Sequence, residues 1–134
     1  MFASGRHRVR AAAAFALWIG ASMPALAAEL VMYTRDSCPF CRRFEREVAP
    51  VYAATPEGRR APLRRVELPA GGIRGGGLNE PVIATPTFVL VDDGRERGRI
   101  TGYLNDDMFW GLLGRLVAGI DTAERTQEHR AETP

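Results

Sequence analysis

Only two cysteines occur in the chain, Cys38 and Cys41, and two residues separate them. They fall where the sequence changes period. Before them, residues 29–34 (ELVMYT) form a short apolar run of strand character. After them, Phe40, Phe44, Val48 and Val51 recur at three- and four-residue steps, with Arg42, Arg43, Glu45, Arg46 and Glu47 between, as on an amphipathic helix. Pro39 suits the first helical turn, where an amide has no intrahelical partner to lose. The pair is therefore expected at a strand-to-helix junction, with Cys38 at the helix N-terminus. Unpartnered amides and the helix dipole favour an anion there, and Cys38 is expected to be an acidified thiol. Cys41, one turn further in, is positioned to resolve a mixed disulfide formed on Cys38. A four-residue loop restricts an unfolded chain little, so exchange fits this spacing better than stapling. An inert bridge is the bland alternative. Zinc would need about four ligands, and the histidines, His7 and His129, stand far from the pair at the two ends of the sequence.

The rest of the chain reads as one α/β unit. Residues 63–68 (LRRVEL) alternate as a second strand, and a βαβ crossover from the first would be parallel and right-handed. Residues 55–62 read as a turn-rich connection, and Pro50 as a kink or end of the first helix. Residues 69–77 (PAGGIRGGG) lack the Lys-Ser/Thr ending of a phosphate loop and read as a flexible connector, with a short helical turn allowed in 78–84. Thr87 to Asp92 (TFVLVD) is the clearest strand, and Asp92-Asp93-Gly94 the turn of a hairpin that returns through residues 95–103. Asn105 or Asp106 caps a last helix with Phe109, Leu112, Leu113, Leu116, Val117 and Ile120 on one face, ended by Gly119 and Asp121. Helices are expected on both faces of the sheet, as a small α/β sandwich. Residues 28–121 would form the domain and 122–134 a flexible tail. Pro86 precedes the strongest strand, as suits a residue with no amide to donate. Taken alone, the pattern leaves Thr85–Pro86 open between cis and trans.

Charge matters less than its total suggests. All 18 basic residues are arginines, and the net charge is +2. Arg6, Arg8 and Arg10 carry that excess, because every acidic residue lies after position 27. These three arginines, the apolar run 11–20 and the Ala25-x-Ala27 pattern make residues 1–27 a cleavable signal peptide, with a retained anchor as the alternative. Nucleic-acid binding is not expected of the remaining, nearly neutral domain. A hydrophobic share of 46% suits a packed core. Phe109 reads as core, Trp110 as core or partner surface, and Arg42, Arg43 and Arg46 as a solvated helix face, with steering of an acidic partner or support of the Cys38 thiolate as the alternatives.

Cys38-Pro39-Phe40-Cys41 together with Thr85-Pro86 resembles the thioredoxin superfamily. The resemblance implies a thioredoxin-like fold with a minimal β-α-β-β-β-α core starting at the Cys-x-x-Cys strand. It also implies a cis Thr85–Pro86 bond, Cys38 as nucleophile, Cys41 as resolving thiol, and Pro86 at the active site, with Pro39, Phe40 and Thr85 on the substrate side. The Pro-aromatic dipeptide is glutaredoxin-like. The stretch 100–107 (ITGYLNDD) lacks the Gly-Gly pair that precedes the acid in glutathione-using glutaredoxins, so glutathione is not expected as a co-substrate. Residues 29–32, 61–68, 85–93 and 98–114 further resemble the small periplasmic thioredoxin-like proteins of bacterial sulfur-oxidation gene clusters. That likeness implies a monomeric periplasmic thiol–disulfide oxidoreductase without cofactor or metal. Its partner would be a protein with an exposed thiol or disulfide, in this family the sulfur-carrier complex of thiosulfate oxidation. A membrane thiol-electron transporter would supply its electrons. The alternatives are a disulfide-donating oxidase and a non-catalytic thiol- or metal-binding module.

Overall fold

The computed structural model describes residues 28–132. The expected leader, residues 1–27, lies outside them. The element order is β1 (Glu29–Thr34), α1 (Pro39–Glu47), α2 (Ala49–Tyr52), α3 (Pro56–Arg60), β2 (Leu63–Glu67), β3 (Thr87–Asp92), β4 (Arg95–Thr101) and α4 (Asp106–Ala131). One four-stranded sheet runs β2-β1-β3-β4. β1 pairs in parallel with β2, as a crossover connection requires, and antiparallel with β3 (Val31 opposite Val89). β3 and β4 form the expected hairpin, with Asp92 opposite Arg95. Its two-residue turn needs positive φ at both centres, and Asp93 (51°) and Gly94 (71°) supply it. The β-α-β-β-β-α thioredoxin-like core is therefore present, with α2 and α3 added.

The two faces of this sheet are closed differently, and the expectation of helices on both is not met. One face presents Leu30, Met32, Phe88, Leu90 and Ile100 to α1, α2 and α4, which contribute Cys41, Phe44, Tyr52, Phe109, Leu113, Val117 and Ile120. Phe44 is the hub: its ring lies 4.6 Å from Phe88, 5.0 Å from Phe109 and 5.6 Å from Tyr103. Val31, Tyr33 and Val89 point to the opposite face. There the cover is the long loop between β2 and β3, through Leu68, Ile73, Leu78 and Val82. The chain contains no apolar stripe between β2 and β3 from which a second covering helix might form, and glycines at positive φ (72, 75, 76 and 77) let the loop fold back. Ile73 bridges Val82, so this segment is more than a connector, and no helical turn forms in residues 78–84.

Other local departures have physical causes. The buried stripe after the cysteine pair is Cys41, Phe44, Val48 and Tyr52, whereas Phe40 and Val51 face outward. Pro50 lies in the first turn of α2, just past the end of α1 at Glu47, and does not kink α1. Residues expected as a connection contain α3, capped by Thr55, whose hydroxyl accepts the Gly58 N–H at 3.0 Å. The last helix does not stop at Gly119 and Asp121 but continues to Ala131. No proline interrupts it, Thr122 and Thr126 bond back to the carbonyls four residues earlier, and Arg60 pairs with both Asp121 (3.0 Å) and Glu124 (2.7 Å). The segment read as a polar tail is thus largely helical and exposed.

Candidate active site

The junction of β1 and α1 is built by short-range bonds. The Cys38 N–H donates to the Arg35 carbonyl at 3.0 Å, closing the turn. Arg35 in turn donates to the carbonyls of Leu68 and Pro69, both at 3.0 Å, tying the turn to the end of β2. Arg42 donates to the Asp36 carbonyl. Cys38 is the N-cap of α1 and Pro39 its first residue. The side chain of Cys38 takes the role usually filled by a Ser or Asp oxygen: its sulfur accepts the Cys41 N–H at 3.1 Å. Cys38 and Cys41 form a disulfide, with Cα atoms 5.3 Å apart. Cys38 is 6% exposed and Cys41 2%, so both sulfurs sit at the edge of the core, Cys41 the deeper.

Beside the pair opens a groove of about 430 Å³. Phe40 stands on one side and Thr85 and Pro86 on another. Residues 101–105 and the first turns of α4, with Met108 and Leu112, complete it. The Thr85–Pro86 peptide bond is cis. The Pro86 carbonyl accepts the Gly102 N–H at 2.7 Å, which seats the turn after β4 against the proline. No hydrogen bond among the described residues engages the Thr85 N–H or carbonyl. Phe40, Leu104 and Met108, all about half exposed, give this rim an apolar surface. Pro39 is exposed but does not line the groove.

Of the residues singled out in sequence, Phe40, Thr85 and Pro86 thus line one groove from positions more than 40 residues apart, with Cys38 and Cys41 on either side of Phe40 in the chain. Sequence reasoning missed Gly102, Tyr103, Leu104, Met108 and Leu112. The available signal was two large apolar residues, Leu104 and Met108, flanking a helix cap where polar residues are usual. Asn105 is that cap, accepting the Met108 N–H at 2.8 Å. Trp110 stacks on Tyr52 at 5.8 Å and abuts Phe109, so it is half-buried against the core. Arg43 is not a free surface charge: it donates to Glu47 and to the Leu104 carbonyl, both at 2.9 Å. Arg43 and the Tyr103 hydroxyl hold the Glu47 carboxyl below its ordinary range, and burial, with Glu47 adjacent, raises the Tyr103 phenol. Among the described residues no three of His, Cys, Asp or Glu gather where a metal ion would sit.

A Cys-x-x-Cys pair, here joined as a disulfide, at a helix N-terminus on this sheet defines a thiol–disulfide oxidoreductase of thioredoxin-like fold, a protein that engages thiol-bearing partners. The comparison with solved structures narrows this. The chain is 39% identical to the periplasmic thioredoxin SoxS from Paracoccus pantotrophus, solved in its reduced form, with a TM-score of 0.63. The match covers 69% of this chain and 98% of that one. The chain belongs to the SoxS-type thioredoxins. A thioredoxin from Malassezia sympodialis (Mala s 13) is a more distant likeness, 17% identical over 68% of this chain and 78% of that one, with a TM-score of 0.47. No protein-family model and no curated protein matches the sequence.

Proposed function

We propose that this protein is exported to the periplasm, residues 1–27 serving as the signal peptide, and there reduces a cysteine-bearing partner protein. The observation that carries the reading is the cysteine pair at the N-terminus of α1, Cys38 at the cap and Cys41 one turn in. In the reduced protein the Cys41 amide and the helix dipole stabilise negative charge on the Cys38 sulfur. The Cys38 thiolate attacks one sulfur of the partner's disulfide. That bond breaks, and the departing partner thiolate takes up a proton. Cys41, deprotonated, then attacks the Cys38 sulfur, releases the second partner thiol and leaves the Cys38–Cys41 disulfide. Two electrons have moved from this pair to the partner. Cys41 suits the resolving role because it is the more shielded of the two.

Pro86 and Thr85 act as the platform for the partner. The unengaged N–H and carbonyl of Thr85 offer main-chain pairing to an extended segment, and Phe40 supplies apolar contact beside the sulfurs. Pro39 pre-sets the backbone of the first turn. The likeness to a periplasmic thioredoxin supports the location and the reducing direction. On this reading the physiological partner is the sulfur-carrier complex of thiosulfate oxidation and the electron donor a membrane thiol transporter, as the resemblance to proteins of sulfur-oxidation gene clusters implies.

Equilibration of the mature protein with a dithiothreitol redox buffer tests the direction. A midpoint near about −270 mV, in the range of reducing thioredoxins, is the expected result. A midpoint near about −120 mV, typical of a disulfide-donating oxidant, would overturn the reductant reading and leave an oxidase for secreted proteins.

A further inference from the structure

The wall of the groove after β4 is a four-residue turn that meets Pro86 through the Gly102 N–H. Residues 102–105 connect the end of β4 to the cap of α4, and Leu104 is 59% exposed. Two side chains of α1, Arg43 and Glu47, brace this turn from outside. The Tyr103 hydroxyl donates to Glu47 Oε2 at 2.7 Å. The other oxygen of the same carboxylate, Oε1, accepts from Arg43 Nε at 2.9 Å. Arg43 Nη1 then reaches back to the Leu104 carbonyl at 2.9 Å, while its guanidinium lies 5.9 Å from the centre of the Tyr103 ring. The result is a closed circuit from α1 to the groove wall. It engages one side chain and the next main-chain carbonyl of the turn. Tyr103 is itself buried among Phe44 and Phe109, so its ring cannot follow a displaced hydroxyl without disturbing the core.

We infer that Arg43 and Glu47 are positioning residues that set substrate preference. They hold the 102–104 turn so that Leu104 and Met108 stand as an apolar wall beside the cysteine pair. The protein thereby favours disulfides embedded in polypeptide, with apolar side chains next to the cysteine, over small disulfides that reach the sulfur without touching the wall. This rests on the exchange activity proposed above. It does not require any particular direction of electron flow in the cell, because both directions pass through the same mixed disulfide.

The consequence is a split between two substrates. Both residues lie on the outer side of α1, and neither lines the groove. Arg43→Met keeps the side-chain stem and removes both hydrogen bonds. Glu47→Gln keeps an acceptor for Tyr103 and removes the ion pair. Turnover is measured on the full chain with insulin, whose disulfides lie within polypeptide, and with hydroxyethyl disulfide, which carries no polypeptide to meet the wall. Arg43→Met is expected to raise KM for insulin about fivefold to tenfold, the scale set by two lost hydrogen bonds. Its kcat on insulin, its rate with hydroxyethyl disulfide and its reduction potential should stay at the parent values. Glu47→Gln should raise the insulin KM less, and Arg43→Lys should restore part of it. Equal loss on both substrates would mean a merely structural role, and an unchanged insulin KM would mean that the wall stands without the circuit; either overturns the inference. A parent protein that turns over neither disulfide would be the separate failure of the exchange reading, and would remove the basis of this one.

Discussion

One face of the sheet is sealed by three helices and a cluster of aromatic rings, the other by a loop held with a charge pair. On the helix-covered face nearly everything is apolar, and the cysteine pair lies at its edge. On the loop-covered face sits Glu96, the one charged residue that is buried among the described residues. Its Oε1 accepts from Arg99 Nε and its Oε2 from Arg99 Nη2, both at 2.6 Å, and Oε2 also accepts the Asn79 N–H at 2.8 Å. Arg99 goes on to bond the carbonyls of Glu80 and Pro81, and the Glu96 N–H donates to the Gly77 carbonyl. At Gly77 a side chain would meet the Gly94 carbonyl 2.1 Å away, so glycine is needed for the loop to lie this close. A helix satisfies its own backbone and needs only an apolar stripe to dock. A loop brings unsatisfied amides and carbonyls to the interior, and polar side chains must meet them. The difference teaches that the same sheet can rest on apolar burial alone at one face and on burial joined with hydrogen-bonded charge at the other.

The comparison can be broken most sharply at the chemistry. If the helix face alone carries function, Cys38→Ser should reduce disulfide turnover to the uncatalysed background, read in an insulin reduction assay. Cys41→Ser should accumulate a mixed disulfide with the partner, seen by intact-mass spectrometry. Next comes packing. Phe44→Ala removes the hub of the aromatic cluster and should destabilise the fold by about 4 kcal/mol, measured by urea unfolding. That loss should be the same from pH 5 to pH 8, because no charge is involved.

The loop face should behave differently. Arg99→Met leaves the Glu96 carboxylate buried without its partner and should destabilise by about 3 kcal/mol at pH 7. The bidentate bond from Arg99 is the main reason that the Glu96 carboxyl lies below its ordinary value of 4.5, with the Asn79 amide adding to the effect. A depressed folded-state value means stability that is present above the unfolded value and is lost as pH falls through the folded one. The parent should therefore weaken on acidification below about pH 4.5. Glu29 and Glu47 are lowered in the same way, so Glu96→Gln should flatten only part of this decline. An unchanged acid limb in Glu96→Gln would show that the loop is not held by this charge. The smallest effect is expected at the tip of the β3–β4 hairpin. Gly94→Ala should cost about 1 kcal/mol, because φ is positive there, again by urea unfolding.

How far the sequence carried can be judged from particular residues. The strands β1 and β3, the Asp93-Gly94 turn, the parallel β1–β2 pairing and the Asn105 cap were legible because each rests on local pattern or on a chain-topology rule. The same holds for Cys38 at a helix N-terminus, since proline at the next position and the onset of helical period mark the spot. The buried stripe of the first helix was read one residue out at Phe40 and Val51. Both are apolar at helical spacing, and only packing shows which apolar residue turns inward. The last helix was ended ten residues early because Gly119 and Asp121 look like a stop, whereas Arg60, from another part of the chain, anchors Asp121 and Glu124.

By itself, the sequence determined the redox pair, the strand that leads into it, the hairpin and the amphipathic last helix, because backbone preference and side-chain period act over a few residues. The tertiary structure decided the rest. Cis Thr85–Pro86, Gly102 and Leu104 come to one groove, and Glu96 and Arg99 reach across the sheet to a loop 15 to 20 residues away in the chain. Such contacts depend on where distant backbone segments end up, and a pattern of neighbours along the chain does not encode them in readable form.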